Sequence, residues 1–177
     1  MKNVVRIGAG SGFWGDAMDP AMELLKAGSL DYLCFDFLAE LTMALLQRQK
    51  LKNPEAGYVP DAVAYMNAML RIARERGTRL ISNGGGVNPR AAAERIAEGA
   101  RKAGLQGTRV ALVEGDDMLG TLDLLLAQDV PLVNMDTGDT DFAAIRDRVV
   151  SANVYTDSTG IVEGLAGGAD IVIAGRV

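Results

Sequence analysis

Histidine is absent from all 177 residues, and that absence removes whole classes of chemistry. Without imidazole there is no Ser-His-Asp or Cys-His nucleophile system and no histidine zinc site within these residues. Proton transfer then falls to carboxylates, Lys, Tyr or a thiol with tuned pKa values. Cysteine is nearly absent too. Cys34 is the only one, so no internal disulfide forms, and a reducing compartment suits the chain. Its setting, DYLCFDF, marks it as a small core residue. No window approaches the roughly eighteen unbroken apolar residues of a membrane helix. MKNVVRIG has neither the apolar core nor the cleavage pattern of a signal peptide, so the expected location is cytoplasmic. Basic residues are in deficit as well: 18 Lys and Arg against 23 Asp and Glu give a formal charge of -5. A chain so acidic lacks the basic face that phosphate neutralisation needs, so nucleic acid is not expected as a partner, and with no membrane-length apolar run neither is a membrane.

What remains is ordinary globular composition, 49% hydrophobic and 23% charged, enough for one domain with a substantial core. Apolar runs predict strands at Val4–Gly8, Asp31–Phe37, Arg79–Asn83, Arg109–Glu114, Pro131–Asp136, Val149–Tyr155 and Asp170–Ala174. Helical segments lie between them. Asp19 and Pro20 open the first as N-cap and N1, and Gly28 sits where a left-handed cap would close it. Leu38, Leu41, Leu45 and Leu46 mark the face of a second helix. Val63, Met66, Met69, Leu70 and Ala73 mark a third that stops before Gly77, and Asn88-Pro89 starts a fourth that Gly104 ends. Leu119–Gln128, Asp141–Arg148 and Thr159–Ala166 fit shorter ones. Strands that read as continuous apolar runs alternating with helices predict an α/β fold. Its expected form is a parallel sheet of about seven strands with helices on both faces, doubly wound and Rossmann-like. The alternative is an incomplete βα barrel. ADIVIAGRV closes on a buried-strand signature with no helix after it, giving the expectation that residues 1–177 are the first part of a longer domain.

Two glycine-rich strand ends stand out. RIGAGSGFWGD carries Gly8, Gly10, Gly12 and Gly15 between a strand and a helix start, where bare backbone N–H groups suit an anion. Its spacing begins a dinucleotide fingerprint, but Phe13 stands where the third glycine belongs. Gly10, Ser11, Gly12, Phe13 and Trp14 are therefore candidate ligand-binding residues, with Phe13 and Trp14 either stacking on the ligand or capping the core edge. In the second, NGGGVNP, Gly84, Gly85 and Gly86 precede Asn88 as N-cap. Free N–H groups are expected to face outward there, and Asn83 adds a side-chain amide. Arg176, after the last strand, is a candidate anion contact.

Carboxylates gather at the same strand ends. Glu114, Asp116, Asp117, Asp136, Asp139 and Asp141 either hold a divalent cation or supply a general base, or else serve as helix caps and turn residues, which is the favoured reading. Asp36, Glu114, Asp116 and Asp136 are the candidate catalytic groups, while no metal site is assigned and no cofactor follows from the sequence.

The segments RIGAGSGFWGD, LDYLCFDFLAELTMALL, LISNGGGVNP, VSANVY and GGADIVIAGRV, in this order, resemble the N-terminal domain of the acyclic terpene utilisation (AtuA-like) family. YTDSTGIVEGL departs from the Tyr-Leu-Gly-Ala type turn of that family, so no role is carried over to Thr156–Ser158. The resemblance implies bacterial catabolism of acyclic terpenes such as citronellol and geraniol, or of related branched acyl-CoA compounds. It implies a small anionic ligand, an acyl-CoA or an isoprenoid acid, held at the Gly-rich loops. The alternative is a non-catalytic binding or scaffold module whose partner is an acyl-CoA carboxylase, a sister subunit or a second copy of the chain.

Overall fold

The computed structural model describes residues 3–177. Five strands form one parallel sheet: β1 (Ile7–Ser11), β2 (Tyr32–Phe35), β3 (Arg79–Ser82), β4 (Val110–Val113) and β5 (Ile171–Ala174). Their spatial order is β1-β2-β3-β5-β4. Because β5 inserts between β3 and β4, consecutive strands are not all neighbours, as a βα barrel requires, and the sheet stays open with β1 and β4 at its edges.

The order also dictates the layers. From β1 to β4 the chain advances across the sheet, and right-handed crossovers keep α1 (Met18–Ala27), α3 (Pro60–Arg76) and α4 (Pro89–Lys102) on one face, where α3 packs between the other two. From β4 to β5 it reverses, so α6 (Thr159–Ala166) lands on the opposite face, its Gly160 and Gly164 close to Val113, Ala111 and Val172. Burial follows this plan. Leu33, Phe35, Leu80, Ile171 and Ile173 join Leu25, Met66, Met69, Leu70 and Ile96 in the main core. On the other face Val172 is buried under α6, whereas Ile7 of β1 is 66% exposed and Cys34 and Ile81 are half-buried.

Two of the seven expected strands do not form. Pro131–Asp136 is irregular, with Met135 99% exposed, and Val149–Tyr155 contributes only one antiparallel bridge, Asn153 to Asp117. Both runs are apolar, yet neither pairs with an edge strand of the sheet, β1 or β4. β1 begins three residues later than expected: the Asp31 carboxylate, not a strand carbonyl, takes the Arg6 N–H at 2.9 Å, and Val4 and Val5 lie outside the ladder. α1 starts at Met18 with Ala17 as N-cap, so Pro20 lies inside the first turn, where its missing N–H has no partner to lose. Gly28 is extended rather than left-handed.

Elsewhere local signals hold. Asn88 caps α4 by accepting from the Ala91 N–H, Pro89 is its first residue, and Gly77 ends α3 at φ 70°. α2 (Glu40–Lys52) buries Thr42, Met43, Leu46 and Gln47, while Leu41 and Leu45, expected inside, are exposed. Residues 119–127 form a 3-10 turn followed by α5 (Leu122–Ala127), and Asp141 caps a 3-10 segment, Phe142–Arg148.

Candidate functional site at the carboxyl ends of the strands

Parallel strands place the residues that follow them at one edge of the sheet, the usual ligand position in α/β folds. Three of these residues join directly. Asn83, after β3, donates through Nδ2 to Asp36 Oδ1 at 2.6 Å and accepts the Phe37 N–H on Oδ1 at 2.8 Å. Ser11, at the end of β1, donates through Oγ to the Asp36 carbonyl at 3.1 Å. Asp36 Oδ1 also accepts the Leu38 N–H at 3.2 Å, and the Leu38 carbonyl accepts Arg176 Nη1 at 3.0 Å. Ser11, Asp36, Asn83 and Arg176 thus lie on one continuous hydrogen-bonded network across the strand ends.

The first glycine loop is open. A cavity of about 340 Å³ is lined by Ala9, Gly10, Ser11, Gly12, Asp16, Ala17 and Pro20. The Gly12 N–H is bound by Asp16 Oδ2 at 2.8 Å, the place an external anion would take. A Cβ on Gly12 would meet nothing within 4 Å, whereas one on Gly10 would enter the Phe35 ring. Gly10 is therefore required by packing, and Gly12 is the residue whose bareness faces the cavity. Phe13 is exposed, while Trp14 is half-buried with Nε1 donating to Asp61 Oδ2 at 3.1 Å. Tyr65 Oη holds the same loop from α3 by donating to the Asp16 carbonyl at 2.6 Å. Burial and the neighbouring Asp61, Asp16 and Asp19 raise the Tyr65 phenol above its ordinary pKa.

The second glycine loop corrects the expectation of outward N–H groups. Gly84 donates to Ser82 Oγ, Gly85 to the Ala174 carbonyl, Gly86 to the Asn83 carbonyl, Val87 to the Gly57 carbonyl and Asn88 to the Gly85 carbonyl. All three glycines are buried. A Cβ on Gly84 would collide with Ala62, one on Gly85 would sit 2.5 Å from the Ala174 oxygen, and Gly86 has φ 54°. These residues are bare so that β5, α3 and α2 can close on them. Asn88 points the same way, its Nδ2 donating to the Pro54 and Ala56 carbonyls.

The candidate catalytic carboxylates separate. Asp36 is exposed at the centre of the network, with no partner on Oδ2 among the described residues. Glu114 is exposed and ion-paired with Arg90. Asp116 is 4% exposed and structural in its contacts: Oδ2 accepts Asn153 Nδ2 at 2.9 Å and the Arg176 N–H at 3.0 Å, clamping the 153–156 segment to the end of β5. Asp136 lies in a turn closed by Asn134, whose Oδ1 accepts the Asp136 and Thr137 N–H groups. That turn borders a larger cavity of about 650 Å³, lined mainly by apolar residues from Leu122 to Ala152. Among the described residues, no group of three or more His, Cys, Asp or Glu is placed to hold a metal ion.

Arg176 is already engaged. Its Nη2 contacts Glu40 Oε1 at 2.9 Å and the Tyr155 hydroxyl, and the guanidinium stacks 4.4 Å from the Tyr155 ring centroid. Tyr155 also donates to Glu40 Oε1 at 2.8 Å. The Glu40 carboxyl is held below its ordinary pKa, first by a backbone hydrogen bond and then by Tyr155 and the Arg176 charge. Glu40 carries no motif in the sequence. Only the start of α2 beside the strand ends brings it here.

No helix among the described residues is long and apolar enough to cross a membrane. Neither a curated protein nor a solved structure matches the chain. The model of the acyclic terpene utilisation family protein AtuA matches residues 5–177, from before β1 through the last residue, with both glycine loops and the Asp36, Asn83 and Arg176 positions inside the match. The chain belongs to the acyclic terpene utilisation (AtuA) family, and with it to acyclic terpene utilisation.

Proposed function

We propose that the carboxyl ends of β1, β2 and β3 bind the carboxylate or thioester end of an isoprenoid acid or its acyl-CoA during the utilisation of acyclic terpenes. The observation that carries this reading is the hydrogen-bonded set Ser11, Asp36 and Asn83 beside an open cavity of about 340 Å³. Gly12 offers the N–H that receives the anion once Asp16 swings away, Ser11 a hydroxyl, and exposed Phe13 an apolar surface for the isoprenoid chain. Asp36 Oδ2 is the carboxylate oxygen available for proton transfer. The single cysteine fits a cytoplasmic setting. A thermal-shift screen of isoprenoid acids, their CoA thioesters, free CoA and nucleotides tests the reading. Stabilisation by the acids or thioesters supports it, and a shift with none of them removes it.

A second reading is a docking module for an acyl-CoA carboxylase or sister subunit. It is favoured by the β1–β3 face left bare opposite α1, α3 and α4, where Ile7 and Ala9 are exposed. Co-purification of such a partner, lost when Ile7 is replaced by Lys, is its test.

A further inference from the structure

The long excursion between β4 and α6 lacks a core of its own. Across residues 118–152, Leu122 is the one buried hydrophobic side chain among the described residues, although the stretch is rich in Leu, Val and Ile. Its apolar side chains gather instead around empty space, the cavity of about 650 Å³. Four separate stretches enclose it: Leu122 of α5, the run 131–135 that stays out of the sheet, the 3-10 segment with Phe142 and Ile145, and residues 149–152. Leu132, Phe142 and Val149 are left half-buried there, and Val133 and Ile145 exposed. Small-molecule sites run from about 300 to 1,000 Å³ and are lined mostly by apolar groups, and an apolar cavity of roughly 150 Å³ already holds a benzene ring. An aliphatic chain bound here would supply the core that the excursion lacks, because apolar surface removed from water stabilises in proportion to its area.

The rim sets the head group. Asp139 and Asp141 line the cavity and, among the described residues, no Lys or Arg does, so a carboxylate or phosphate would meet two like charges there. Each aspartate spends one oxygen on the backbone: Asp139 Oδ1 accepts the Asp141 N–H at 2.9 Å, and Asp141 Oδ1 the Ala144 N–H at 3.2 Å. Ser151 also lines the cavity, its hydroxyl without a hydrogen-bond partner among the described residues. We propose that this cavity is a second ligand site, for an uncharged aliphatic molecule whose single hydroxyl or carbonyl group meets Ser151. The inference does not rest on the strand-end reading, which concerns an anion at a different cavity. Together the two sites sort an aliphatic chain by its head group, charged at the strand ends and uncharged here.

The probes are 1-octanol and octanoate, which share a chain length and differ in charge. Hydrogen exchange of amides in Leu122–Ala127 and Phe142–Arg148 reads this cavity rather than the strand-end one. 1-Octanol is expected to protect them saturably, and octanoate at neutral pH to need at least about a tenfold higher concentration. Asp139→Asn keeps the oxygen that holds the Asp141 N–H and removes a charge, so octanoate is expected to act about fivefold more strongly at low salt and 1-octanol as before. Ala152→Phe fills the cavity while leaving the carbonyl that accepts the Met118 N–H. It is expected to weaken 1-octanol at least about tenfold, with Tm unchanged or raised. No protection by 1-octanol, equal potency of the two probes on wild type, or a wild-type response in Ala152→Phe overturns the site. Protection that appears instead in Met18–Ala27, beside the strand-end cavity, overturns it as well. Should Ala152→Phe not fold, the two probes on wild type and Asp139→Asn decide, an unchanged octanoate response in Asp139→Asn counting against the head-group assignment.

Discussion

Asn83 joins the ends of β2 and β3 by bonding at once to the Asp36 carboxylate, at 2.6 Å, and to the Phe37 N–H, at 2.8 Å. Asn83→Ala removes both bonds and leaves the part-buried Phe37 N–H without its acceptor. The expected loss is about 1–3 kcal/mol of stability by urea denaturation, the cost of an unsatisfied buried group. A change under about 0.5 kcal/mol, the scale of neutral surface substitutions, would mean the network does not hold the strand ends together.

The two glycine loops respond differently to a methyl group. Gly12→Ala meets open space and is expected to stay within about 0.5 kcal/mol of wild type. Gly84→Ala drives a Cβ into Ala62 and is expected to cost about 1–3 kcal/mol or more. Equal melting temperatures for the two variants would contradict the assignment of one loop to ligand access and the other to packing.

Asp16 occupies the Gly12 N–H that the ligand anion is proposed to take. Asp16→Asn keeps an acceptor in place and removes the competing charge. Between unit charges roughly 4 Å apart in water that repulsion is about 1 kcal/mol, so isoprenoid acids are expected to bind about fivefold more tightly at low salt. Unchanged or weaker binding would place the anion elsewhere.

Glu40 predicts a pH dependence. An unfolded Glu titrates near about 4.3, and its folded value is lower, so its contribution is fully present above the unfolded value and lost as pH falls through the folded one. The stability difference between wild type and Glu40→Gln should hold steady from neutral pH to about 5 and disappear at lower pH. A difference that grows toward acid would show that Glu40 does not rely on its charge among Tyr155 and Arg176.

Signals in the sequence succeeded where the physics is local. Asn88-Pro89 and Gly77 mark helix ends because their backbone preferences do not depend on neighbours, and the reversal that seats β5 beside β3 still leaves every strand parallel. Pro131–Asp136 and Val149–Tyr155 misled because strand propensity depends on tertiary context: both runs are apolar, but neither pairs with the open edges at β1 and β4. NGGGVNP misled for a related reason. Glycine marks a place where something approaches the backbone, and here the Ala174 carbonyl, Ala62 and Leu46 approach rather than a ligand. Asp36, Asn83 and Ser11 were visible as strand-end polar groups. Their convergence is a property of strand order, as is the approach of Glu40 to Arg176 across 136 positions of chain.

Calorimetric titration of an isoprenoid acid and its CoA thioester into wild type and Ser11→Ala tests the central claim most directly. Ser11 presents its hydroxyl at the cavity and, among the described residues, bonds one carbonyl, so the substitution spares the fold. The account predicts saturable binding to wild type and about tenfold weaker binding to Ser11→Ala, with Tm within a few degrees of wild type. Absence of binding by both ligands, or identical affinity for the two proteins, would contradict it.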